Sequence, residues 1–293
     1  STATDSPSAS KIGSFGNSFW LALLAISVIV FGANTGVATY QGSRLSGAST
    51  GASDMRVLSQ QLANQGREAV AGNAEAFKAF KETKQSVEST VADLQSRFGN
   101  EGAIAGPLAK LSATWAPLSK SADQIVASEA AVLALAGNAD RFATQVPNLQ
   151  AQLNEVVRAM SAGGAPSSQI YSALQQVVLA GTMARRVTEI RAGGAGAATA
   201  GDALGRDAVL FDQVLDGLRD GNPDLGIAAV RNGAALTALQ NSQTLWTAMK
   251  KDLDAILASS RNLFAAQAAA TALTNGSGQM LQDSTNLFQA FSA

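Results

Sequence analysis

The chain has no cysteine and no histidine. The first absence excludes disulfides and thiol nucleophiles; the second removes His-based triads and the usual zinc ligands. Aromatic residues are scarce, with three Trp, two Tyr and eleven Phe, so platforms for base stacking are few. The net charge is −1, and no basic field draws the chain to nucleic acid. No grouping of nucleophile, base and oxyanion donor is recognisable. Gly193-Gly194-Ala195-Gly196 lacks the Lys-Ser/Thr and the preceding strand of a phosphate loop, so it reads as an interhelical hinge. The expectation is a protein that is not an enzyme and needs neither cofactor nor metal.

One long stretch is free of charge. Between Lys11 and Arg44 no residue is charged, and the apolar heart of the stretch runs from Phe19 to Tyr40. Trp20 and Tyr40 lie roughly 30 Å apart along a helix, about one hydrocarbon thickness, with an aromatic ring for each interface. This predicts a transmembrane helix over 19–40, anchored by Trp20 and Tyr40, behind a tail over 1–18. The competing reading is a signal peptide cleaved near Gly36-Val37-Ala38; the late start and single Lys of its n-region argue against it. No second span is expected. The last residues, Phe288-Gln289-Ala290-Phe291, suggest a piece of a longer protein.

Beyond the span, apolar residues recur at helical spacing. Phe77, Phe80, Val87, Val91, Leu94 and Phe98 form one seam, with Lys84 as a buried polar interruption. Leu108, Leu111, Trp115, Leu118, Ala122, Ile125 and Val132 form another, interrupted in the same way by Glu129. Phe142, Val146, Leu149, Leu153, Val156 and Met160 form a third. Leu204, Ala208, Phe211, Leu215 and Leu218 form a fourth, and Trp246, Met249, Leu253, Ile256 and Leu263 a fifth. Heptad spacing of this kind means bundled helices. No period-2 alternation announces a sheet. Breaks are expected at Gly99-Asn100, Gly137-Asn138, Gly163 to Pro166, Gly193-Gly194 and Gly221-Asn222-Pro223, where Asn222 and Pro223 read as cap and first-turn proline.

Two stretches echo each other. Thr114 to Ser128 aligns with Leu245 to Ser259, matching Trp115 with Trp246, Lys120 with Lys251, Asp123 with Asp254 and Ile125 with Ile256. This predicts an all-α chain of two tandem up-down helical-bundle modules, 45–165 and 166–293, each of roughly four helices. The first of these helices is expected to continue from the membrane span.

The segment Gly51 to Lys81, GASDMRVLSQQLANQGREAVAGNAEAFKAFK, resembles the start of the periplasmic domain of type IV pilus methyl-accepting chemotaxis transducers. Leu179–Gly193 and Gly201–Asn222 are similar to its second copy, and the resemblance extends over nearly the whole chain. It implies an inner-membrane homodimer of Gram-negative bacteria, with 1–18 cytoplasmic and 41–293 periplasmic. The partners it implies are membrane lipid and a pilin subunit or small periplasmic ligand. CheW-like adaptors and a histidine kinase would be reached through a cytoplasmic region absent from this chain. No methylation site can be assigned here.

Five residues are candidates for ligand contact. The run Met55 to Gln61 resembles the Arg-containing box of bacterial nitrate sensors, which makes Arg56, Ser59 and Gln60 a candidate anion site; an arginine fork holds a planar anion through two hydrogen bonds. The bland alternative is a solvated or intersubunit-paired Arg56. Arg185 and Arg186 occupy a loosely similar place in the second module, with plain surface charge as their alternative. Trp115 and Trp246 are expected in the core. Asp212, Asp216 and Asp220, four apart, read as a solvated face, since a calcium site needs oxygens converging from a loop. Lys78, Lys81 and Lys84 lie among glutamates and read as a mixed surface.

Two functions fit this pattern. One is a sensor whose helices shift by small steps when a ligand prefers one of two packings. The other is a non-switching helical scaffold of an envelope machine; the input region of a sensor kinase is a variant of the first.

Overall fold

The computed structural model describes residues 42–293, with side-chain surroundings from Ser46 onward. The described residues form seven α-helices: α1 Gly42–Val70, α2 Ala74–Phe98, α3 Gly102–Ala127, α4 Glu129–Ala162, α5 Ser167–Ala192, α6 Ala197–Asp220 and α7 Gly233–Ser292. A 3-10 turn, Pro223–Leu225, sits between α6 and α7. No strand occurs among the described residues; one isolated bridge joins Asn222 and Ile227. The chain divides into two compact units, residues 1–50 and 51–293. Of the first, only the opening turns of α1 are described. No described helix is long and apolar enough to cross a membrane. The expected span 19–40, with Trp20 and Tyr40, lies outside the described residues.

Each helix of the second unit forms because one face is apolar at 3-4 spacing. All five seams read from the sequence are buried along their length. Each fully buried Leu, Val or Phe contributes about 1.5–3 kcal/mol. Asparagine side chains cap the starts of α2, the 3-10 turn and α7. Asn73 accepts from the Ala76 amide, Asn222 from Leu225 and Asn232 from Ala235, each satisfying one of the free amides of a helix start. Gly72 turns α1 into α2 at φ 101°, a conformation that glycine adopts without penalty.

The helices sort into two four-helix bundles within residues 51–293. In the first, residues 51–70 of α1 pack with α2, α3 and the C-terminal half of α7. Gly66 marks their meeting point: a Cβ there would lie 3.2 Å from Phe80, 3.5 Å from Ile125 and 3.5 Å from Leu273. Phe98 meets Phe291 edge-on at 5.0 Å. In the second bundle, α4, α5 and α6 pack with the N-terminal half of α7. Gln150 donates to the Val177 carbonyl, Gln176 to the Phe211 carbonyl, and Arg141 pairs with Asp252 at 2.9 Å. The 60-residue α7, about 90 Å long, belongs to both. Antiparallel to it run α3 and α4, separated only at Ser128.

This pairing differs from the tandem division expected at 165/166. That boundary falls in the turn between α4 and α5, two helices that pack on each other. Residues 45–165 hold α1, α2 and α3 of the first bundle with α4 of the second, and 166–293 hold α5 and α6 with the shared α7, so neither segment closes a bundle alone. The two Trp-bearing echoes lie on the antiparallel helices α3 and α7. No break occurs at Gly137-Asn138, which lies inside α4. Burial of Leu135, Ala136, Ala139 and Phe142 around it outweighs the roughly 1 kcal/mol a helical glycine costs. Lys84 and Glu129 are half-buried rather than buried, and both are paired. Lys84 holds Asp123 at 2.8 Å and Glu88 at 2.7 Å, and Glu129 holds Lys81 at 2.8 Å.

Candidate functional site

Arg56 lies on the exposed side of α1, one residue from an apolar side chain, Val57, that is 53% exposed. Ser59 points the other way; it is buried, and its hydroxyl donates to the Arg56 carbonyl at 3.2 Å. Gln60 is exposed. The helix therefore splits the three residues between two faces, and no described cavity gathers them. On α5, Arg185 stands in solvent 3.9 Å from Glu189. Arg186 is drawn between Glu189 at 3.6 Å and Asp207 of α6 at 3.7 Å. The Arg186 Nε and an Asp207 carboxylate oxygen are buried without a hydrogen-bond partner, separated by more than a direct bond allows. Arg56 belongs to the first bundle and the Arg185–Arg186 pair to the second.

The aspartate row on α6 is only partly solvated. Asp212 accepts from the Trp246 indole at 2.5 Å and from Lys250 at 2.5 Å, and the Trp246 ring packs on Phe211 at 4.4 Å. The bond to Asp212 outweighs burial and raises the Lys250 ammonium above its ordinary range. Asp216 and Asp220 stay at the surface beside Arg219. Among the described residues no group of acidic side chains is placed to hold a metal. Trp115 and Trp246 both sit in the core.

Asp283 on α7 had no signal in the sequence. It is 1% exposed, and its carboxylate accepts from Thr114 at 2.6 Å and from Gln279 at 2.9 Å. Both donors are neutral. A buried charge of this kind is costly to form and ties α3 to α7 at a defined register.

Two concavities of the second unit bear on binding. One, of about 320 Å³, lies where the bundles join, between Arg67, Arg191, Gly193, Gln267 and Thr271. There the Gln267 amide donates to the Ile190 and Arg191 carbonyls, holding the end of α5 against α7. Arg191 in turn pairs with Asp140 at 2.6 Å. The other is a groove of about 800 Å³ between α6 and α7. Gly201 and Gly205 lie in it, Val209 and Leu210 border it, and Arg206 and Arg261 face it. Sequence reasoning missed both arginines because neither belongs to a basic cluster or a recognisable motif; the Gly201/Gly205 spacing is the one local signal.

The fold thus places the chain among all-α helical-bundle proteins. Its kinship is with chemotaxis receptors. It is 33% identical over 94% of its length to a methyl-accepting chemotaxis protein, AlkN, of Alcanivorax borkumensis. It is 32% identical over 92% of its length to the protein PilJ of Pseudomonas aeruginosa. Over the region it shares with them, the chain is PilJ-like in sequence. It spans 41% and 40% of those two relatives. No protein-family model matches the chain. Among solved structures, the TorS sensor domain, from a complex with TorT in the presence of TMAO, aligns with 81% of this chain at 14% identity and a TM-score of 0.32.

Proposed function

We propose that residues 41–293 are the periplasmic, signal-receiving region of an inner-membrane chemoreceptor that governs twitching motility by type IV pili. The region acts by binding and displacement and performs no chemical step. The observation that carries this reading is α7, one helix shared by two bundles in a chain homologous to PilJ-like receptors. A ligand that prefers one packing of α4, α5 and α6 against the N-terminal half of α7 shifts the equilibrium between packings. Packed helices move by about 1–2 Å in such transitions, and α7 has no joint at which that step could be absorbed before the first bundle.

Two chains pair as a homodimer in this reading. The stimulus is a pilin subunit or a small periplasmic anion, and Arg56 or the Arg185–Arg186 pair would hold the anion. Output reaches CheW-like adaptors and a histidine kinase through cytoplasmic segments beyond this chain. The test is a chimera in which this sequence replaces the aligned region of PilJ in a Pseudomonas aeruginosa strain lacking that protein. Restored twitching zones are expected. A chimera present at normal level in the membrane yet unable to support twitching would sink the proposal.

A further inference from the structure

The groove between α6 and α7 has three features that converge on one kind of occupant. First, it is open along two helices, and its glycines leave room. A Cβ on Gly201 would lie 4.0 Å from Phe264 and one on Gly205 would lie 3.9 Å from Leu257. Ordinary side chains would fit at both positions, so the absence of one on two successive turns keeps this part of the groove open and unfilled. Second, apolar side chains border the groove at unusual exposure, with Val209 at 56% and Leu210 at 43%. Third, Arg206 and Arg261 face it with no hydrogen-bond or ion-pair partner among the described residues, against one acid in the lining, Asp202. The lining therefore carries an uncompensated positive charge.

We infer that the α6–α7 groove is a docking site for an α-helix of a partner protein, one presenting small apolar side chains flanked by carboxylates. Helices close-pack at interaxial distances of about 8–10 Å, and small residues at the contact favour the lower end. The apolar border supplies the burial expected of a helix-in-groove contact. Arg206 and Arg261 supply the charge complementarity that selects an acidic partner and rejects a basic one. A second copy of the chain in parallel two-fold pairing is disfavoured here, because the symmetry would set Arg206 against its own counterpart. A single helix in a groove falls at the small end of specific interfaces, which implies micromolar binding. The inference rests on reading the chain as a receptor region and assigns a surface to its stimulus.

The experiment uses the full chain and a labelled synthetic helix of about 20 residues, long enough to be helical on its own. One peptide carries an Ala/Leu stripe flanked by Glu; its twin carries Lys in place of Glu. Binding is followed by fluorescence anisotropy. The Glu peptide is expected to bind in the micromolar range and the Lys peptide at least tenfold more weakly. Arg206→Glu and Arg261→Glu are each expected to cost about tenfold for the Glu peptide, and the double variant to prefer the Lys peptide. Gly205→Leu fills the groove and is expected to weaken binding. Its fold is safeguarded, since leucine favours the helix over glycine and circular dichroism reports any loss. No binding of the Glu peptide, equal binding of the twins, or unchanged binding to Gly205→Leu would each overturn the assignment. The receptor reading would survive such a failure, because the chimera's motility tests it independently.

Discussion

Two antiparallel helical runs of similar length hold the bundles together, and they are built differently. Residues 102–162 form α3 and α4, with Pro107, Pro117 and Pro147 inside the helices and a joint at Ser128. Each interior proline removes a backbone donor and loosens the ladder around it. At the joint, Ser128 turns its hydroxyl back onto the Ile125 carbonyl at 2.7 Å. The 60 residues of α7 contain no proline and no joint. One run can bend at fixed points; the other moves as a piece. In a molecule that must carry a displacement from one bundle to the other, this makes α7 the transmitting element and α3–α4 the compliant one.

The comparison breaks most directly with proline. Ala268→Pro, on the exposed side of α7 near the junction, is expected to cost about 3 kcal/mol or more, because it removes an interior helix bond. Ala130→Pro, in the first turn of α4, is expected to cost about 1 kcal/mol or less, since proline is tolerated there. Urea unfolding of the two variants gives both numbers. Equal costs would mean that α3 and α4 behave as one continuous helix and that the asymmetry is not real.

A second pair of variants concerns how each bundle fastens α7. In the first bundle Asp283 is held by the neutral groups of Thr114 and Gln279. In the second, Asp212 receives Lys250 and the Trp246 indole. Asp283→Asn keeps an acceptor and lets the Thr114 hydroxyl turn to accept, while the cost of burying a charge disappears. It is expected to stabilise the protein by about 1 kcal/mol. Asp212→Asn strands Lys250 and weakens the indole bond, and is expected to destabilise by about 1 kcal/mol, modest because the pair is partly in water. Thermal unfolding distinguishes the signs. Two changes of the same sign would show that the two carboxylates are not held in contrasting ways.

The seams were legible because 3-4 spacing of Phe, Leu and Val is a local signal, and Phe77 to Phe98 or Phe142 to Met160 bury the residues that the spacing indicates. Helix partnership was not legible. Nothing local tells that Thr114 will meet Asp283 or that Gly276 will lie against Leu118. The aligned Trp115 and Trp246 suggested tandem copies because both fill core positions in similar helices, and such positions look alike whichever bundle they enter. The turn at Gly72-Asn73 carried a readable signal, a glycine followed by a cap residue, yet it was not among the expected breaks. Ser128 had no such signal. For the candidate site, Arg56, Arg185 and Arg186 were readable as charges; the groove of Arg206 and Arg261 required α6 and α7 to be placed side by side.

The smallest expected effect lies in alkali, and it compares one lysine on each side. Lys84 of α2 is raised above its ordinary value of 10.5: burial lowers it, and the bonds to Asp123 of α3 and Glu88 more than offset this. Lys250 of α7 is raised by its bond to Asp212 of α6, against burial. A lysine whose folded value exceeds its unfolded one adds stability that is fully present below about pH 10.5 and fades as pH rises through the folded value. Stability measured by urea from pH 9 to 11.5 should therefore fall in part through these two groups. Lys84→Met should flatten the decline more than Lys250→Met. The Lys84 side chain is 16% exposed and bridges two carboxylates, whereas that of Lys250 is 40% exposed and screened by water. The reverse order would place the stronger electrostatic fastening on α7 rather than at the α2–α3 contact.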